Sequence, residues 1–301
     1  MAAVGILGGA GLTAVGMTRA DGAHIPFLSQ ADSHTLAPSA AKAAATPAVP
    51  AGPSPQELAD QKRAAQVKAL DAALDKYAAT VPEFSVAVLD KKTGRRFSFR
   101  GGEMYETASV VKVQVLACLL LTAQDQGRDL TSTEFGLAKR MITQSENDAT
   151  TSLFSRLGRA PAITRCNKRI GLSSTQVSDS WGLTRTTAND QVTLLAQLVD
   201  TKGPLDAGSR DLAEDLMSSV DDEQDWGVPV VARAGEHTTV KNGWLPRSTE
   251  GNRWIINTVG RVTGQNTDVS IAVLSHNHAS MSGGIGVVEK LANLTRQYLK
   301  Y

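Results

Sequence analysis

The chain has 301 residues, 42% of them hydrophobic, and a formal net charge of +1. That much apolar material builds a sizeable core, and the length suits one large domain or two smaller ones. A charge so close to zero supplies no broad field for nucleic acid or an anionic membrane surface, so no nucleic-acid partner is expected.

Residues 2–17 carry no charge and run through Val4, Ile6, Leu7, Leu12 and Val15. Such a run is short for a spanning helix and suits the apolar part of a signal peptide, so residues 1–23 are read as a signal-like segment and an exported, secreted or cell-envelope protein is expected. The usual basic lead-in is missing, which would put the true start upstream of Met1; a disordered apolar tail is the alternative. No Cys follows the run, so a lipid-bearing cysteine is not expected there. Residues 24–53 are rich in Ala, Pro and Ser and read as a tether.

Order is expected from Ser54-Pro55-Gln56-Glu57, a capping box with Pro at the first helical position. Val67, Leu70, Leu74 and Tyr77 then follow helical spacing to about residue 78. Phe84, Val86 and Val88 alternate, as do Phe97 and Phe99 across a turn at 91–94, which predicts a β-hairpin. Residues 107–220 read as helices: an apolar one over 110–121, one capped by Thr131-Ser-Thr-Glu134, one from Asn147 or Asp148 to Gly158, and one begun by Thr187. Three strands follow at 237–244, 253–263 and 268–275, then a closing helix with Val288, Leu291, Leu294 and Tyr298. The order predicts an α+β fold: an antiparallel five-stranded sheet flanked by the N- and C-terminal helices, with an inserted all-helical lobe. The domain would cover 55–301, its α/β lobe 55–106 and 221–301 and its helical lobe 107–220.

Cys118 and Cys166 could form one disulfide in an exported protein. The preferred reading is a free thiol, since Cys118 lies in an apolar helix where a thiol packs well.

Three short motifs occur in order: Ser109-Val-Val-Lys112, Ser145-Glu-Asn147 and Lys241-Asn-Gly243. Each has a decoy: Ser39-Ala-Ala-Lys42 in the tether, Lys92-Thr-Gly94 in the hairpin turn and Ser275-His-Asn277 at the last strand's end. Context separates them. Ser109 and Lys112 sit one turn apart at the start of an apolar helix, where an ammonium must find partners or surrender its proton. Free N–H groups at the first turn favour an anion beside Ser109, giving a nucleophile with an adjacent base and an oxyanion donor. Ser145 sits on a turn between helices and could relay a proton to a leaving group. Asn147 could bond both Lys112 and a substrate amide. Lys241 supplies charge for a substrate carboxylate or for polarising Ser145, and Gly243 leaves room for a ligand along the strand that could take the Trp244 N–H. Arg253 could hold a carboxylate bidentately or be a solvated strand end. Trp244 is either a sheet aromatic or a stacking wall. His237, His276 and His278 lack an acidic or Cys cluster and are read as surface histidines rather than metal ligands; no metal or cofactor is expected.

With these motifs the chain resembles the penicillin-recognising serine hydrolases (β-lactamases and penicillin-binding proteins), nearest to the class A β-lactamase branch and to secreted actinobacterial members of it. The stretches 141–158, Trp181-Gly-Leu-Thr-Arg-Thr-Thr187 and Lys241-Asn-Gly-Trp-Leu-Pro-Arg247 carry the likeness. The resemblance implies acyl transfer with Ser109 as nucleophile, Lys112 as its base, Ser145 and Lys241 as further catalytic groups, and an oxyanion hole from the Ser109 and Trp244 N–H groups. Asn147, Asn242, Gly243 and Arg253 would contact the substrate.

The departures from that pattern are Glu146 for the usual Asp, Asn242 for Thr or Ser, and a shortened gap from Ser109 to Ser145. No Glu occurs between Glu146 and Glu214, where class A enzymes place the one that activates the deacylating water. Asp179 is the nearest acidic replacement in that region. The expected function is a monomeric hydrolase opening a β-lactam or related amide in a small molecule or a peptidoglycan-like peptide, with slow deacylation. The alternatives are a D-alanyl-D-alanine peptidase, an esterase on the same fold, or a sensor acylated without turnover.

Overall fold

Ser54 opens the first helix through a reciprocal pair of bonds. Its Oγ accepts from Glu57 N at 3.3 Å, while its own N–H donates to the Glu57 carboxylate at 2.6 Å. This caps α1 (Pro55–Ala78). The structure is a computed structural model that describes residues 52–301. The signal-like segment, all but the end of the tether and the Ser39/Lys42 decoy lie outside the described residues.

The hairpin forms as β1 (Phe84–Asp90) and β2 (Arg96–Phe99). Asp90 organises its turn by accepting from the Lys92 and Thr93 N–H groups at 3.0 and 3.2 Å, and Gly94 takes the left-handed φ of +69° that the turn requires. Lys92 donates to the Gln265 carbonyl, so the literal K-T-G is occupied as a turn.

A 3₁₀ turn, Ala108–Val110, follows the short strand β3 (Tyr105–Glu106) and runs into α2 (Val111–Asp125). Then come α3 (Ser132–Thr143), α4 (Asn147–Leu157), α5 (Arg159–Arg169), β4 (Arg185–Thr186), α6 (Ala188–Gln197) and α7 (Ala207–Met217). The chain closes with β5 (His237–Arg247), β6 (Arg253–Thr263), β7 (Asp268–Ser275) and α8 (Met281–Leu299). The five long strands form one antiparallel sheet in the order β2-β1-β7-β6-β5, so strands from both ends of the chain meet where β1 pairs with β7.

Both faces of the sheet are covered. Alternate side chains of β1 and β7 (Val86, Val88, Ile271, Val273) pack with Leu70 and Leu74 of α1 and Val288 and Leu291 of α8. The intervening residues Ala87, Ala272 and Leu274 face a second core made of α2 and the other helices. Small residues between the large ones let helices approach that second face.

Two features differ from the sequence reading. Gly158 does end α4, with φ +98°, but α5 begins at the very next residue, where no helix was expected. That helix returns Cys166 to α2, and Cys118 and Cys166 form a disulfide with Cα atoms 5.8 Å apart. The free-thiol reading is therefore corrected. The pairing depends on α5, whose polar composition hid it. A buried bond from Gln114 to Asn167 ties the same two helices.

Removing the bridge with Cys166→Ser should cost about 2–4 kcal/mol, since it closes a loop of sequence separation 48. Urea unfolding reads this as a lowered midpoint relative to the oxidised protein. An unchanged midpoint would show that the two helices are held by packing alone.

Candidate active site

Ser109 lies within the 3₁₀ turn rather than at the first turn of α2, and Ala108 before it has φ +45°. A left-handed non-glycine residue is costly and is held only where its surroundings over-determine it. Those surroundings are visible. Thr107 N donates to Thr184 O at 2.8 Å, and Asn257 Nδ2 donates to the Glu106 and Thr107 carbonyls at 2.9 and 3.0 Å. Behind the turn runs β5. A Cβ on Gly243 would stand 2.8 Å from Thr107 O and 2.9 Å from the Ser109 and Val110 nitrogens. The space on the Cβ side of Gly243 is thus taken by the Ser109 turn itself, where the sequence predicts room for a ligand.

Lys112 is fully buried, and its Nζ has four oxygens around it. These are Ser145 O at 2.6 Å, Ser109 Oγ and Asn147 Oδ1 at 2.9 Å, and Ser145 Oγ at 3.0 Å. An ammonium has three N–H donors, so it cannot satisfy all four. A neutral amine has a lone pair, to which a serine hydroxyl can donate instead. Burial drives the Lys112 pKa down to about 7, opposed in part by the Glu146 carboxylate.

Ser145 is held with φ +56° and is buried. Its Oγ lies between two amines, 3.0 Å from Lys112 Nζ and 2.9 Å from Lys241 Nζ. Lys241 also donates to Asn242 O at 3.0 Å and to Gln224 Oε1 at 3.4 Å. Burial, and then the neighbouring Lys112, hold its pKa well below the ordinary lysine value. Ser109, Lys112, Ser145, Asn147 and Lys241 are therefore brought into one hydrogen-bonded set from a turn, three elements and the α3–α4 loop.

The segment 170–187 supplies the facing wall. Asp190 anchors its start, accepting from Ser174 N at 2.9 Å and Thr175 Oγ1 at 2.6 Å, and β4 pairs with β3 just before Ser109. Trp181 is thereby set with its ring 5.1 Å from Lys112 Nζ, its Nε1 donating to Thr151 Oγ1 at 3.2 Å. Trp244 stands likewise 5.9 Å from Lys241 Nζ, edge-on to Trp226 at 6.1 Å. Between these walls opens a cleft of about 320 Å³, lined by Ser109, Asn147, Trp181, Leu183, Trp244 and Leu245 among others.

Three expected contacts are absent from this cleft. Asn242 is buried, and its amide donates to the Gln224 and Trp226 carbonyls at 2.8 Å each, so it fastens the 224–226 segment to the edge strand. Arg253 is exposed at the start of β6 and pairs with Arg247. Gly243 is opposite Asn257, four residues further along β6, so at about 3.3 Å per residue Arg253 is roughly 13 Å down the strand from that register. Asp179 is exposed and pairs with Arg159 at 3.3 Å. Among the histidines, His278 is not a surface residue. It is buried, bonds Ser275 Oγ at 2.9 Å and is driven to about 4 by burial and then by His276. His276 binds Glu83 at 2.6 Å.

Sequence reasoning missed Gln224 and Asn257, whose contacts span long sequence separations and leave no local signal. Trp181 belonged to a noted stretch, but its placement over Lys112 depends on the fold of the segment 170–187.

Residues 135–299, more than half of the chain, match the sequence model of the β-lactamase enzyme family, and the chain belongs to that family. A relative in Mycobacterium tuberculosis, named "Putative lipoprotein LppW", is 35% identical over 182 residues. That match covers 58% of this chain and 57% of the relative, so it spans little more than half of the relative's length. The fold is that of class A β-lactamases. An ancestral class A β-lactamase superposes with TM-score 0.66 at 21% identity, covering 76% of this chain and 99% of that one. The chromosome-encoded β-lactamase of Vibrio parahaemolyticus gives TM-score 0.66 at 17% identity, covering 77% and 99%.

Proposed function

We propose that this protein is an active-site-serine hydrolase that forms an acyl-enzyme on Ser109 with a β-lactam or a related amide or ester. The observation that carries this reading is the 2.9 Å contact between Ser109 Oγ and a buried lysine whose proton is loosely held. Ser109 Oγ attacks the carbonyl carbon and its proton passes to Lys112 Nζ. Ser109 and Trp244 N–H groups receive the oxyanion. The scissile bond then breaks, and Ser145, polarised by Lys241, hands a proton to the leaving atom. Asn147 keeps its Nδ2 for the substrate carbonyl, since Oδ1 faces Lys112.

The protein acts as an exported monomer of the cell envelope in this reading. The apolar N-terminal run and the mycobacterial relative's name support the location.

Labelling with a fluorescent penicillin, used as its methyl ester, should disappear in Ser109→Ala and persist in Ser39→Ala and Ser275→Ala. Undiminished labelling of Ser109→Ala would remove the nucleophile from this account.

A second reading, a module acylated without prompt turnover, is favoured by one feature: among the described residues no carboxylate lines the cleft.

A further inference from the structure

The cleft beside Ser109 has a chemical character that bears on its substrate. Of the side chains lining it, Asn147 and Ser180 are neutral and polar, while Trp181, Leu183, Trp244 and Leu245 are apolar. Among the described residues none that lines it carries a formal charge.

The nearby cations are each committed elsewhere. The three donors of an ammonium at Lys241 are matched by Ser145 Oγ, Asn242 O and Gln224 Oε1, and the side chain has no exposed surface. Lys112 is enclosed by four oxygens. Arg247 lies 2.9 Å from Glu106 and 3.7 Å from Glu250, which neutralise it. Arg253 lies down the extended hairpin, opposite Arg247.

The strand positions that face Lys241, Asn242 and Gly243 across the sheet offer nothing in exchange. They are Val259, Thr258 and Asn257. Thr258 Oγ1 accepts from Val228 N at 3.0 Å, and Asn257 spends its amide on the Glu106 and Thr107 carbonyls and its Oδ1 on Ser275 N. The Asn242 amide is likewise spent on backbone carbonyls.

A carboxylate entering this cleft would lose its water without gaining a hydrogen bond from either lysine, since both side chains are buried and their donors face other oxygens, which is unfavourable.

Resting on the acyl-serine reading above, we infer that the substrate is uncharged next to its scissile carbonyl: a neutral ester or amide whose apolar or aromatic group lies between Trp181 and Trp244. Peptides ending in a free carboxylate and carboxylate-bearing β-lactams would be poor acyl donors, and an esterase-type reaction fits the cleft better than a carboxypeptidase-type one.

The test uses two matched pairs of acyl donors: benzylpenicillin with its methyl ester, and mono-p-nitrophenyl glutarate with p-nitrophenyl butyrate. Acylation of Ser109 is followed by intact mass and peptide mapping. In whichever pair reacts, the uncharged member should acylate Ser109 about tenfold faster or more. A charged member reacting as fast or faster would overturn the inference while leaving Ser109 as nucleophile. Failure of all four compounds to modify Ser109 would instead sink the acyl-serine reading itself. As a second measurement, Leu245→Arg places a guanidinium at the cleft wall. It should raise the charged-to-uncharged rate ratio about fivefold or more, since Arg binds carboxylates bidentately. An unmoved ratio in a folded variant would show that the missing cation is not what sets the preference.

Discussion

Lys112→Ala should slow acylation of Ser109 by about 10²–10⁴, the usual worth of a positioned general base, while Lys92→Ala leaves the rate unchanged. Lys112 Nζ is 2.9 Å from Ser109 Oγ, whereas Lys92 reaches only the Gln265 carbonyl in the hairpin turn. Single-turnover rates measure the difference, and equal rates in the two variants would refute the assignment.

The same assignment fixes a pH dependence. Lys112 is held at about 7, so below that value it is protonated and has no lone pair for the Ser109 proton. Above it the neutral amine predominates. The second-order acylation rate should therefore rise through about pH 7 and level off on the alkaline side, following the fraction of neutral Lys112. A flat profile from about pH 5 to 9 would mean that another group takes the proton.

The second large effect concerns release of the acyl group. Trp181 and Leu183 line the cleft from the segment 170–187, and Trp181 places an indole ring 5.1 Å from Lys112 Nζ. An indole cannot accept a proton from water. Without a carboxylate at the cleft to activate water, deacylation should be slowed by about 10²–10⁴ relative to one so assisted, and become rate-limiting. A chromogenic β-lactam that acylates the protein, used as its methyl ester, should give a burst of about one product per enzyme and then slow steady turnover. Asp179→Asn should leave both phases unchanged, because that carboxylate is exposed and paired with Arg159. A linear, fast time course with no burst would show that deacylation is not limiting. A slower steady phase in Asp179→Asn would return that residue to the mechanism.

The amino-acid sequence by itself determined what depends on neighbours in the chain. The capping boxes at Ser54 and Thr131 place their helices because both partners are three residues apart. The pairing of Ser109 with Lys112 follows from the same short-range geometry, and the alternation in β1 and β7 follows from the pleat. The convergence of Ser145 and Lys241 on that pair was legible only through the order of the motifs and a family likeness, because 96 residues separate the two side chains.

Tertiary structure alone decided the rest, and the reason is register and long-range packing. Arg253 looked like a carboxylate anchor until the pairing of β5 with β6 carried it down the hairpin to face Arg247. Asn242 looked like a ligand contact until the 224–226 segment closed over it and took both amide hydrogens. Gly243 looked like room for substrate until the strained Ser109 turn filled that room. Cys118 found its partner only because a polar helix, not recognised from its sequence, folds back across α2. A side chain's identity states what bonds it can make; which of them it makes depends on which strand slides beside it and which segment closes over it.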